Sequence, residues 1–138
     1  MKIKTSYQGQ MRFSSGEGVK QVVMDAGPIV GGLGEGFSPK AMVLQGLAGC
    51  TGLDVAAILN KKKVTFEDFA IEVEATQTKK HPKVFDAIKI IYSIKVDPAD
   101  REHVERAIEL SQNQFCGVSD MLRKSAEITW TLEVEPLS

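Results

Sequence analysis

Two cysteines are the residues of this chain with the clearest capacity for chemistry. Cys50 lies inside a long, almost wholly apolar stretch, in Gly49-Cys50-Thr51-Gly52, and Cys116 follows an amphipathic one, in Phe115-Cys116-Gly117-Val118-Ser119. There are no others, and 66 positions separate them. A thiol attacks or binds as its thiolate, and two thiols that meet can open and close a disulfide. One thiol in an apolar helix and one at a helix end suggest redox chemistry more than a structural staple. The plain alternative is a pair of inert core side chains, because free cysteine is among the most buried residue types.

The surroundings bear differently on the two. An apolar helix disfavours a thiolate at position 50, and Asp54, one turn further on the same face, disfavours it again. A cation must therefore approach Cys50 if that thiol is to attack. Cys116 reads as the more easily activated thiol, because a helical turn is expected to begin near Val118 or Ser119, where the dipole favours negative charge.

The elements that must position these groups can be read from pattern. Short strands are expected over Ile3–Tyr7, Gln10–Phe13 and Gln21–Asp25, separated by Gly9 and by Ser14-Ser15-Gly16-Glu17-Gly18. A glycine-rich loop, Gly27 to Gly36, leads to Ser38 as N-cap and Pro39 as first helical residue. The helix runs to Asn60, with three lysines complementing its negative end. Two alternating strands follow, with Phe69, Ile71, Val73 and Ala75 inward in the first and Ile88, Ile90, Tyr92, Ile94 and Val96 inward in the second. Asp97-Pro98 opens a second helix whose buried stripe is Val104, Ala107, Ile108 and Ser111. A last strand points Ala126, Ile128, Trp130, Leu132 and Val134 inward. Strands joined by hairpins and covered on one side argue for a single α+β domain over residues 1–138 with antiparallel sheets.

Composition excludes several partners. Lys and Arg number 17 against 18 for Asp and Glu, so the net charge of −1 offers nothing to nucleic acid or an anionic membrane. The N-terminal segment reads as a strand and not as a signal peptide. Two cysteines in that setting point to a reducing compartment, and the expectation is a cytoplasmic protein. His81 and His103 stand apart with no ligand spacing, so no metal and no other cofactor is expected. The glycine-rich loop lacks both G-x-G-x-x-G and G-K-[ST], and reads as an active-site or plain loop, not as a phosphate cradle.

The first helix is the unusual element. From Ala41 to Leu59 its clearly polar members are Gln45, Thr51 and Asp54. Its 19 residues come close to a membrane span in length, but Asp54 inside the segment would be costly in lipid. A helix apolar around most of its circumference is better explained by burial on more than one side, by its own sheet and by a second subunit. Gly46, Gly49 and Gly52 each lower helix propensity by about 1 kcal/mol, a cost accepted where backbones approach closely. A homodimer is expected.

The segment from Ser38 to Val55 resembles the central-helix motif of the OsmC/Ohr superfamily, and Glu109-Leu110-Ser111 through Ser119 resembles its second-cysteine motif. Element order and cysteine spacing agree over essentially the whole chain, and the general OsmC-like branch is the nearer match. The resemblance implies antiparallel sheets wrapped around a long buried central helix, in an intertwined homodimer with active sites at the subunit interface. It implies that Cys50 attacks a hydroperoxide, that Cys116 resolves the resulting sulfenic acid, and that a dithiol reductant resets the pair. In the family an arginine from the early strands supplies the cation, held by a glutamate at the start of the central helix. Arg12 is the corresponding candidate here. The helix start, Phe37-Ser38-Pro39-Lys40-Ala41, has no carboxylate, and Glu35 in the loop is the near substitute. The second functional reading is a protein of the same fold without peroxidase activity, binding a small apolar or thiol-containing ligand.

Overall fold

A computed structural model describes all 138 residues, Met1–Ser138. The chain divides into two compact units, Met1–Leu44 and Gln45–Ser138.

The first unit is an antiparallel meander of β1 (Thr5–Gly9), β2 (Arg12–Glu17) and β3 (Lys20–Asp25). Strand β2 runs four residues past the end expected at Phe13, because Ser14 and Ser15 pair on both sides, with Ser6 and Thr5 of β1 and with Val23 and Val22 of β3. The connection to β3 is a tight turn closed by Glu17 opposite Lys20. The glycine-rich loop then folds into one 3-10 turn, Pro28–Val30, and Phe37 returns alongside β3, accepting the Asp25 amide at 3.2 Å. Little apolar surface is enclosed: Asp25 and Gly32 are the buried residues, while Phe13, Val22, Val23 and Phe37 stay exposed.

Helix α1 (Pro39–Lys61) starts where Ser38 and Pro39 predict, with the Ser38 hydroxyl accepting the Ala41 amide at 3.2 Å. By length and composition it could cross a membrane, yet its middle is tied into the second unit. Leu47, Thr51, Val55 and Leu59, four residues apart, form its buried stripe. Within the chain it is therefore covered along one side, not all round, and Leu53 is 76% exposed.

The second unit is a three-stranded sheet, β4 (Phe66–Gln77), β5 (Phe85–Val96) and β6 (Glu127–Glu135), with β5 in the middle. The expected alternation holds on β5, where Ile88, Ile90, Tyr92, Ile94 and Val96 are all buried. Strand β4 begins at Phe66, ahead of the expected Phe69, by way of a bulge at Asp68 (φ 47°) whose carboxylate pairs with Lys95 at 2.7 Å. Strand β6 departs from the antiparallel expectation and runs parallel to β5, from Ala87 opposite Glu127 to Lys95 opposite Glu135. The reason is the connection: helices α2 (Arg101–Leu110) and α3 (Gly117–Arg123) carry the chain back to the end where β5 began, as a parallel crossover requires. Val104, Ala107 and Ile108 of α2 join the β5 and α1 side chains in one core. Gly52 lets α1 lie on the sheet, since a Cβ there would be 3.0 Å from Ile71 Cδ1.

Tyr92 is fully buried and edge-on to Trp130, with ring centroids 6.1 Å apart. Burial pushes its phenol up from 10.0 to about 12, against the opposing effect of hydrogen bonds to Thr51 and Gln112. The folded state thus holds this proton more tightly than the unfolded chain. Its contribution is complete below the unfolded value and is lost as pH rises through the folded one. Chemical denaturation should show stability falling between about pH 10 and about pH 12. Tyr92→Phe should flatten that limb and cost about 1 kcal/mol at neutral pH through the lost hydrogen bond.

Candidate functional site

Cys50 and Asp54 stand one turn apart on the same face of α1, and Cys116 faces them from the junction between α2 and α3. The two sulfurs and a carboxylate oxygen of Asp54 all lie within 4.8 Å of one another. Both cysteines are free thiols, Cys50 half-buried and Cys116 buried. The fold therefore brings together the two residues that the sequence singled out. Two thiols and a carboxylate are donors a metal would accept, but two thiols in reach of one another have redox chemistry of their own, and the cluster is read in that way.

The junction that delivers Cys116 is a widened helical turn. After Leu110 the chain continues as a π-helical segment, Ser111–Phe115, and the Cys116 amide donates to the Ser111 carbonyl, five residues back, at 2.8 Å. Cys116 then caps α3, its Sγ accepting the Ser119 amide at 3.4 Å. The cap does not make this the easily ionised thiol that the sequence suggested. Burial pushes the Cys116 thiol up, hydrogen bonding from Ser119 pulls it down by less, and Cys50 pushes it up further. Desolvation is the largest effect and outweighs the hydrogen bonding from Ser119.

Behind the sulfurs runs a ladder of buried hydroxyls. Ser111 Oγ donates to Asp54 Oδ2 at 2.9 Å. With its one proton used there, Ser111 accepts from Thr51 Oγ1 at 2.8 Å, and Thr51 in turn accepts from the Tyr92 hydroxyl at 2.7 Å. Gln112 Nε2 donates to both Thr51 Oγ1 and Tyr92 OH, each at 3.1 Å. Arg123 completes the set, donating to the Gln112 carbonyl at 3.0 Å and to its Oε1 at 3.4 Å. Every proton in the ladder thus points toward the Asp54 carboxylate. Sequence reasoning placed Tyr92 and Ser111 in the core but missed Gln112 and Arg123. Gln112 carries a signal in hindsight, as a polar residue in phase with the buried stripe of α2.

The comparison with known families rests on this same segment. The sequence model of the OsmC-like protein family matches residues 32–131, which include the central helix and both cysteines. The chain belongs to the OsmC-like protein family. Protein YhfA of Escherichia coli K12 is 31% identical to it over 97 residues, 70% of this chain and 72% of that protein. A hypothetical protein from Aquifex aeolicus VF5 superposes with a TM-score of 0.79 at 25% identity, covering 97% of this chain and 96% of that one. The organic hydroperoxide resistance protein OhrB of Bacillus subtilis shares the fold, with a TM-score of 0.69 at 18% identity over 96% of each chain.

In this OsmC-like chain Arg12 belongs to the first unit, where its guanidinium donates to and pairs with Glu35. The loop substitute foreseen for the missing helix-start glutamate does hold the arginine. Arg12 Nε is shielded from water and has no hydrogen-bond partner. Such a half-exposed ion pair adds little stability, and its effect is to orient the guanidinium. Two residues not picked out from sequence shape the loop that carries Glu35. Asp25, 4% exposed, accepts the Ala26 amide at 2.8 Å and the Glu35 amide at 3.1 Å, one on each carboxylate oxygen. Gly32 packs where a Cβ would fall 1.9 Å from the Ala26 carbonyl oxygen and 2.8 Å from Asp25 Oδ1.

Asp25→Asn replaces one of those acceptors by a donor that faces an N–H. It should cost about 1–3 kcal/mol locally and speed amide hydrogen exchange over residues 26–36, leaving residues 45–138 protected as in wild type. Unchanged exchange in the loop would show that Asp25 does not hold Glu35.

Proposed function

We propose that this chain is a cysteine-based reductase of hydroperoxides, organic ones in preference to hydrogen peroxide. The observation that carries the reading is the meeting of two free thiols, one half-exposed and one buried, within 4.8 Å. Cys50 thiolate attacks the outer oxygen of the hydroperoxide, the O–O bond breaks, and the alcohol leaves with a proton. Cys50 is then a sulfenic acid. Cys116 attacks its sulfur, water leaves, and a disulfide remains for an external dithiol to reduce. Two free thiols kept in this state suit a reducing, cytoplasmic setting.

The cation that Cys50 needs is assigned to Arg12, oriented by Glu35. The working unit is assigned as a homodimer. In the single chain Phe13, Val22, Val23 and Phe37 are exposed, as are Val43 and Leu53 of α1, and nothing lies within 4 Å of where a Cβ would stand at Gly46 or Gly49. A second copy of the chain would cover that apolar surface, which monomers rarely leave open.

The test is intact mass and free-thiol count after rapid quench with about one equivalent of an organic hydroperoxide. Wild type should lose two thiols quickly, Cys116→Ser should hold a trappable sulfenic acid, and Cys50→Ser should stay silent. Arg12→Ala should slow the first step by roughly 10²-fold, as expected when a group that stabilises developing charge is removed. Slow, indiscriminate oxidation of all variants would overturn the reading and leave a ligand-binding protein. Light scattering on the same samples tests the dimer, which should be about twice the chain mass.

A further inference from the structure

The carboxylate that completes the cluster has no part in the scheme above, and its placement is not what activation of Cys50 would call for. A negative charge beside that thiol opposes its ionisation. Asp54 is nonetheless held with care: the Ser111 hydroxyl donates to one oxygen, and behind Ser111 the ladder through Thr51 to Tyr92 has its protons aligned on the same carboxylate. Gln112, fixed by Arg123, donates into the ladder from the side. Donation from Ser111 marks Asp54 as the acceptor of this array, and its carboxylate is the group within reach of both sulfurs that can take a proton.

Cys116 is the group in need of a base. It is 3% exposed, burial disfavours its thiolate, and the Ser119 amide reaches its sulfur only at 3.4 Å. Solvent has poor access to its proton. The Asp54 oxygen lies within 4.8 Å of the Cys116 sulfur and equally of the Cys50 sulfur, a span that one water or a small side-chain rotation closes.

We propose that Asp54 is the general base of disulfide closure, taking the Cys116 thiol proton as that sulfur attacks Cys50 and passing it to the group that leaves. When Cys50 is a sulfenic acid, the Cys116–Cys50 S–S bond forms and the Cys50 S–O bond breaks. The thiol proton moves to the Asp54 carboxylate and from there to the departing hydroxide, which leaves as water. The same base serves when Cys50 carries a mixed disulfide, where an S–S bond to the outer thiol breaks instead. The proposal rests on the peroxidase reading for its physiological electrophile, but its chemistry does not depend on peroxide.

The groups whose charge bears on Asp54 are Cys50 on its own helix, Cys116 from the α2–α3 junction, Tyr92 of β5 through the hydroxyl ladder, and Arg123 of α3 through Gln112. Of these, Tyr92 stays protonated across the neutral range, because burial raises its phenol to about 12.

The experiment uses the reduced full-length protein and the aromatic disulfide 5,5′-dithiobis(2-nitrobenzoate). Half-exposed Cys50 reacts first and releases one chromophoric thiolate, and closure by Cys116 releases the second. With Asp54 as base, the second phase in wild type should change little between about pH 8 and about pH 6. In Asp54→Asn it should fall about tenfold per pH unit, because only preformed Cys116 thiolate then reacts. It should be roughly 10²-fold slower than wild type at the acid end, and the two should converge in alkali. Asp54→Glu, which keeps a carboxylate, should restore the flat profile, and circular dichroism checks that each variant is folded. A merely structural aspartate would predict one pH-independent loss in Asp54→Asn. Either that result or an unchanged flat profile would overturn the proposal. If peroxide fails to oxidise Cys50 while the second phase behaves as described, the peroxidase reading falls and the assignment of Asp54 stands.

Discussion

The hydrogen bond between Thr51 and Tyr92 is the constraint on which the second unit depends. Both side chains are fully buried, and a buried hydroxyl left without a partner costs roughly 1–3 kcal/mol. The pair at 2.7 Å therefore fixes how α1 lies on β5, because sliding or rotating the helix by one residue would take Thr51 from its partners and leave the Tyr92 hydroxyl with Gln112 alone. Ser111 extends the constraint to the segment after α2, and Asp54 to the edge where the core meets the cysteines. The buried apolar side chains, Leu47, Val55, Ile90 and Ile108 among them, contribute stabilisation that is non-directional. The hydroxyl ladder turns a greasy contact into one register.

That register matters because the site consists of residues from elements that the apolar core alone would not align to within a few ångströms. Cys50 and Asp54 move with α1. Cys116 moves with the π-helical turn that follows α2, and an ordinary α-helical continuation there would aim it differently. Ser111 belongs to both arrangements: its hydroxyl holds Asp54, and its carbonyl accepts the Cys116 amide. One residue thus couples the geometry of the carboxylate to that of the second thiol.

The electrostatics divide between the two units. In the second, the balance around Cys116 sets desolvation and the neighbouring Cys50 against hydrogen bonding from Ser119. In the first, the cation Arg12 is tied to Glu35, and Glu35 is tied through its backbone to the buried Asp25. The loop that carries Glu35 is shaped by Asp25, which accepts two of its amides, and by Gly32, where a Cβ would meet the Ala26 carbonyl.

Much of this was legible in the residues. Alternation with period two marked β5 and β6 and their inward faces, Ser38-Pro39 marked the start of α1, and the two cysteines singled out by type and context do meet in the fold. Glu35 was also within reach, as the one carboxylate near the helix start. These are local properties, encoded in spacing, capping and side-chain chemistry. The parallel course of β6, the full length of β2 and the π-helical turn before Cys116 were not legible, since each depends on which strand or carbonyl the backbone meets across the fold. The upward shift of the Cys116 thiol has the same origin: a helix cap can be read from sequence, but desolvation depends on what packs against the sulfur. Likewise, the sequence by itself determined that Thr51, Asp54, Tyr92 and Ser111 are polar groups among apolar ones. Only the tertiary structure decided that they satisfy one another, because hydrogen bonds between residues 41 to 60 positions apart exist only once α1, β5 and α2 share a core.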